Sequence, residues 1–237
     1  MFFQPPYLEY LLPALYALVI SFLAFFLALK IYLRFRERQN KPLLYLSLTY
    51  FFYAAIILTT DLGYFYQLFF GFPSQMTFVL RLWLLWSITL SLLSIANYFH
   101  LCFGQELFSE ENKRHRTIFG VAVLITVVLL LSIGGLVDVV EWKYILVFLL
   151  TSPIYLYIMI KAFQNWKQAS DPIYIRRYQM IFLSVVFLPP TFVFILVDTL
   201  LRPYIGDYGP FFYLAWLMAI LSSLAAYYAY VPPPAGH

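Results

Sequence analysis

The sequence predicts an all-α membrane protein, a bundle of seven transmembrane helices with its N-terminus outside and its C-terminus cytoplasmic. Three observations predict it. Seven long apolar stretches divide the 237 residues, and a run of about 20 apolar residues matches the hydrocarbon thickness of a bilayer. The chain is 63% hydrophobic and 11% charged, whereas a soluble domain carries about 25% charged residues. Finally, the loops alternate between basic and non-basic. Lys30, Arg34, Arg36, Arg38 and Lys41 follow the first stretch, Lys113, Arg114 and Arg116 the third, and Lys161, Lys167, Arg176 and Arg177 the fifth. Only Arg81, Lys143 and Arg202 lie towards the other side. Lys and Arg resist translocation, so the basic loops are expected in the cytoplasm. That side holds twelve basic residues against five acidic ones, the other three against six.

The first helix is expected over residues 8–33, ended by the basic turn RFRERQNKP. It is too long, and lacks the positive front region, to be a cleaved signal peptide. The second covers 43–60. The aromatic segment DLGYFYQLFFGFPSQ (61–75) then reads as an interfacial short helix or lid, broken by Gly and Pro and rich in residues that tolerate that zone. The third covers 76–103, and the polar loop GQELFSEENKRHR leads to an aliphatic fourth over 117–137, with Gly134 and Gly135 near its outer end. The fifth (144–163) carries Pro153, the sixth (178–201) carries Pro189 and Pro190, and the seventh covers 210–230. The tail VPPPAGH ends it, because proline cannot continue a helix. Residues 1–237 thus form a single transmembrane domain.

Helices 1–3 and 5–7 share an orientation, with helix 4 as the inverting link, a 3+1+3 pseudo-repeat. LSLLSIANYF (90–99) echoes LSSLAAYYAY (221–230). Parallel repeats occur in some transporters, and apolar helices also resemble each other by chance.

Catalytic signals are absent from the sequence. His115 lies in a polar loop, His237 is the last residue, and His100 lies near the inner end of helix 3. One such histidine builds neither a zinc site nor a bis-histidine haem. No HExxH, phosphate loop or GxSxG occurs, so the chain is read as non-enzymatic, with no cofactor and no metal. Cys102 has no disulfide partner. The net charge of +4 is a topological signal and no nucleic-acid partner is expected. The expected surroundings are the lipid bilayer of the plasma (cytoplasmic) membrane, crossed in multiple passes.

Three groups of residues are candidates for function. Asp61, Arg81, Asp198 and Arg202 lie near the outer helix ends, with Asp198 and Arg202 spaced to share one helix face. A charge facing lipid is costly, so they point to a polar outer pocket, roofed by residues 61–75, for a small ligand. The bland reading is a set of interfacial charges that mark helix ends. Pro153, Pro189 and Pro190 remove helix hydrogen bonds and suit either a hinge or a static kink, with Thr151, Ser152 and Thr191 placed to satisfy freed carbonyls. Arg34, Arg36, Arg38, Arg176 and Arg177 form a cytoplasmic surface for a signalling protein. Ser87, Ser91 and Ser94 share a face and read as close-packing positions, near Asn97.

The layout is shared with G-protein-coupled receptors and microbial rhodopsins. However, NYFHLCF stands where a receptor DRY-like triplet would follow helix 3, and helix 7 has neither NPxxY nor a lysine for retinal. The segment DPIYIRRYQMIFLSVVFLPP resembles the seven-helix N-terminal sensor modules of prokaryotic histidine kinases. That resemblance implies a sensor of a ligand, lipid or membrane state that signals through helices 6 and 7. Such modules usually continue into an output domain, so here the output is expected from a cytoplasmic partner. A stand-alone sensor or receptor-like protein is the first expectation. A small 3+1+3 transporter and an accessory subunit of a larger membrane complex are the alternatives. The oligomeric state is open.

Overall fold

A computed structural model describes residues 6–70, 75–108, 112–132, 140–205 and 209–230. It is all-helical, and seven of its segments are long and apolar enough to cross a membrane. The helices are α1 (Pro6–Arg38), α2 (Lys41–Phe70), α3 (Gln75–Leu107), α4 (Lys113–Ser132), α5 (Val140–Gln168), α6 (Pro172–Val186), α7 (Leu188–Ile205) and α8 (Pro210–Tyr230).

The radial pattern of polarity is inverted relative to a soluble protein. Phe22, Leu124 and Leu149 are each more than 60% exposed, while Thr49, Ser87, Ser94 and Asn97 are fully buried. A contiguous apolar exterior of this extent marks a lipid-facing surface. Polar side chains gathered inside hold helices together where hydrocarbon offers no competing partner.

Each helix boundary has a local cause. α1 runs through its basic turn to Arg38 and closes at Gln39, whose φ of 50° is left-handed. The Gln39 N–H donates to the Phe35 carbonyl at 2.7 Å and its Nε2 to the Arg36 carbonyl at 3.0 Å, so backbone and side chain together cap the helix. Asp171 caps α6, its Oδ1 accepting from the Ile173 N–H at 2.8 Å ahead of Pro172 in the first turn, a position proline tolerates.

Two elements differ from the sequence expectation. The second helix does not stop near Thr60 but continues to Phe70, so Asp61 lies inside α2 rather than at its end and residues 61–70 are not a separate short helix. Gly63 does not break it, as glycine is tolerated in membrane helices. Residues 71–74, the rest of the expected lid apart from Gln75, lie outside the described residues, as do 133–137 with Gly134 and Gly135, and the tail 231–237. The sixth span is interrupted at Phe187. Pro189 and Pro190 have no N–H to return to the carbonyls of Val185 and Val186, so they are accommodated in the first turn of a new helix, α7. Pro153, by contrast, stays inside an unbroken α5.

Side chains bond to carbonyls next to the break. Ser222 Oγ on α8 donates to the Ser184 carbonyl at 2.7 Å, and Thr191 Oγ1 donates to the Phe187 carbonyl at 3.2 Å. Interhelical hydrogen bonds in membranes average about 0.6 kcal/mol. Removing Ser222 also leaves a buried carbonyl without that donor, so Ser222→Ala is expected to lower stability by about 1 kcal/mol. Equilibrium unfolding in mixed micelles checks this, with Ser223→Ala as the control, since Ser223 bonds only within its own helix, to the Ala219 carbonyl.

Buried clusters fix the alternation of the helices. One gathers Ile31 of α1, Leu43 of α2, Phe103 of α3, Ile158 of α5, Ile181 of α6 and Ala229 of α8. It therefore lies at the end of the bundle that carries the basic turns. A second joins Ala17 and Ile20 of α1, Ala54 and Ile57 of α2, and Phe212 and Trp216 of α8, at the opposite end. Helix α3 sits centrally, packed against α2, α4 and α5. Gly104 permits its approach to α5, for a Cβ there would stand 2.8 Å from Ile158 Cγ1.

Candidate functional site

The end opposite the basic turns holds two buried acids. Ala54, Ile57 and Asp61 follow one another at helical spacing on the face of α2 turned towards α1 and α8, and Ala54 and Ile57 belong to the cluster that contains Phe212 and Trp216. Asp61 is fully buried, and among the described residues neither of its oxygens has a hydrogen-bond partner. The Trp216 Nε1–H in the same region is also buried, with no partner among the described residues. An ionised carboxylate removed from water and left unpaired is very costly. Asp61 therefore calls for a proton or a donor that the chain's own described groups do not supply.

Asp198 has a structural duty. Its Oδ1 accepts from the Phe212 N–H at 3.1 Å. Phe212 is in the first turn of α8, where N–H groups lack partners within the helix, and a carboxylate there also complements the positive helix end. Asp198 thus caps α8 from α7. Tyr16 and Tyr213 face each other beside this region, with ring centroids 5.7 Å apart. Arg81 is in α3 and Arg202 in α7, but both side chains lie outside the described residues. The structure brings Asp61 and Asp198 to the edges of one cluster and leaves the arginine half of the expected pocket unplaced.

A second polar group crosses the middle of the bundle. Asn97 Nδ2 on α3 donates to Thr151 Oγ1 on α5 at 2.6 Å, and Asn97 Oδ1 accepts from the Tyr155 hydroxyl at 3.2 Å. The Tyr155 hydroxyl also pairs with that of Tyr53 on α2 at 2.7 Å. Three helices are tied by one chain of side-chain bonds. His100 packs edge-on against Phe103 and Tyr155, with centroids 5.8 and 5.4 Å away, and its buried Nδ1 has no partner. Thr151 Oγ1 in turn donates to the Val147 carbonyl at 2.6 Å, one turn from Pro153.

No protein-family model, curated protein or solved structure matches this chain.

What the site can do therefore rests on its own geometry. Among the described residues no group of three His, Cys, Asp or Glu side chains could hold a metal ion. Lys143, at the start of α5, is buried, and its Nζ donates to Ser87 Oγ on α3 at 3.2 Å. Burial lowers the Lys143 ammonium from its ordinary value. Reading the sequence missed Lys143, Tyr53 and Tyr155 as internal polar groups. Asn97 and Thr151 carried a signal, since an amide and a threonine beside a proline inside apolar helices ask for partners. The two tyrosines were hidden among 21.

The five arginines of the expected cytoplasmic surface divide. Arg36, Arg38 and Arg176 are exposed. Arg34 pairs with Glu37 at 3.1 Å. Arg177 is partly buried, its guanidinium 5.8 Å from the Tyr174 ring centre.

Proposed function

We propose that this chain is a membrane sensor of receptor-like design, which takes up a small ligand at the Asp61 end and signals to a cytoplasmic protein at the basic end. The observation that carries the reading is the buried Asp61 carboxylate, without a partner among the described residues. Ionisable groups inside membrane helices are costly and mark binding sites or pathways by default. A ligand bearing a protonated amine would satisfy Asp61, and the rings of Tyr16, Tyr213 and Trp216 suit a cation's apolar body.

The route to the other end is α2. Tyr53 lies two helical turns from Asp61 and is bonded to Tyr155, which reaches Asn97. A shift of α2 on ligand binding would disturb that chain beside Pro153. The interruption at Phe187 supplies a second place where the bundle can bend. Topology with the basic turns in the cytoplasm follows from the distribution of Lys and Arg, and the plasma membrane is the proposed location.

The test is a ligand screen on protein in nanodiscs. Primary and quaternary amines are added and the unfolding midpoint is read. A stabilising amine whose effect disappears in Asp61→Asn supports the reading; a uniform response of both proteins removes it. The inner surface has its own test. Arg36→Glu/Arg38→Glu/Arg176→Glu changes three exposed positions, so folding is expected to be unaffected while capture of the cytoplasmic partner falls at least tenfold. Unaltered capture would remove these arginines from the partner surface.

One observation favours a second reading. The Asn97, Thr151, Tyr155 and Tyr53 group places hydrogen-bonding side chains at the depth a small 3+1+3 transporter would need. Flux in proteoliposomes separates the two, since a sensor leaves sealed vesicles without transport.

A further inference from the structure

At the basic end, α4 and α5 each pack on α3 but scarcely touch one another. Gly104 lets α5 approach α3, and a Cβ at Gly120 of α4 would stand 3.3 Å from Tyr98 Cε2 of α3. The two helices diverge and leave a cleft of about 750 Å³, within the range that holds small amphipathic ligands. Its walls are apolar, from Leu101, Ile118, Phe119, Ala122 and Ile154, and its inner mouth is polar, from Gln105, Asn112 and His115. Pro153 and Tyr157 complete the α5 side.

Among the described residues, the exposed charges next to the mouth are positive: Lys113 and Arg114 stand in the first turn of α4, beside the lining residues Asn112 and His115. Arg116 donates from Nε to Gln105 Oε1 at 2.7 Å and from Nη1 to Glu106 Oε1 at 3.0 Å, and its guanidinium lies 5.9 Å from the Tyr45 ring centre of α2. Arg116 therefore engages Glu106 and fixes the lining residue Gln105, and the two exposed cations are left for a ligand. An apolar slot with such a mouth fits an acyl chain below an anionic headgroup.

We propose that the α3/α4/α5 cleft is a binding site for an anionic phospholipid, its chain against Phe119, Ala122 and Ile154 and its phosphate at Lys113 and Arg114. Basic pockets between membrane helices on the cytoplasmic side hold such headgroups. The site is independent of the ligand proposed at Asp61. A lipid seated there touches Pro153, so its occupancy bears on the bend of α5.

Native mass spectrometry tests it, on full-length protein taken from vesicles of equal phosphatidylglycerol and phosphatidylcholine. Retention of one phosphatidylglycerol per chain, preferred at least fivefold, is the expected result. Lys113→Ala/Arg114→Ala changes only exposed side chains and is expected to bring that preference to within about twofold of none. Ala122→Trp, which fills the slot, is expected to abolish retention while the unfolding midpoint stays within a few degrees of the parent. Equal retention of the two lipids, or a double variant that keeps the full preference, overturns the proposal. So does a cleft closed by a second copy of the chain, seen as a dimer crosslinked through Ile118→Cys.

Discussion

Asp61→Asn is expected to make the protein more stable and unable to respond to its ligand. The carboxylate is fully buried with no partner among the described residues, so its burial opposes folding. Insertion scales put an aspartate at the helix centre at about 2.5–3.5 kcal/mol, with less nearer the interface. An amide of the same shape removes the charge, and a gain of about 1–3 kcal/mol is expected at neutral pH. Unfolding in mixed micelles measures it. A stabilising substitution at a wild-type acid indicates that stability was given up there for function. If Asp61 instead held the fold together, the asparagine variant would unfold more easily. The sign of the change therefore separates a binding group from a structural one, before any ligand is known.

A large destabilisation is expected from Gly104→Val. A Cβ at this position would lie 2.8 Å from Ile158 Cγ1, 3.2 Å from its Cδ1 and 3.3 Å from Tyr157 Cε1. Ile158 is fully buried, so it has no free space to turn into, and valine adds two further carbons. Overpacking of this kind costs about 1–3 kcal/mol, and the upper part of that range is expected here. Because α3 also carries Asn97, separating α3 from α5 stretches the 2.6 Å bond to Thr151. Ile158→Ala alone is expected to cost about 2–5 kcal/mol as a cavity. Combined with Gly104→Val it is expected to cost less than the sum, with a coupling above about 1 kcal/mol. Additive losses would show that the two residues do not share the contact.

Much of the fold was legible in the sequence, because a run of apolar residues long enough to span a bilayer is a one-dimensional signal. Proline positions were legible too, and Pro172 and Pro210 open α6 and α8. The extent of α2 was not. Gly63 and the dense aromatics of residues 61–70 look like punctuation in water, yet in a long apolar helix neither interrupts the backbone ladder. The break at Phe187 was visible only as a proline pair; the Ser222 bond beside it joins residues 38 apart.

The site was half legible. Asp61 and Asp198 stood out as acids among apolar residues. Their different roles depend on which helix face meets α1 and α8, and sequence spacing does not decide that. By spacing, Asp198 shares a helix face with Arg202, whose side chain lies outside the described residues; the Asp198 cap on α8, across 14 residues, left no local pattern. The Tyr53–Tyr155 bond spans 102 residues and leaves no local pattern. The cleft between α4 and α5 arises from two close approaches to α3, at Gly104 and Gly120, that only three-dimensional packing reveals.

The central claim is that seven spans place every basic turn on one face of the membrane and the Asp61 site near the other. Single cysteines in a Cys102→Ala background, at the exposed positions Gln39, Asn112 and Ser170 in one set and Pro210 in the other, can be labelled in sealed cells with a membrane-impermeant maleimide. The account predicts labelling at position 210 alone, with the other three reacting only after the cells are opened. Labelling of any basic turn in sealed cells, or protection of position 210 that persists until lysis, would contradict it.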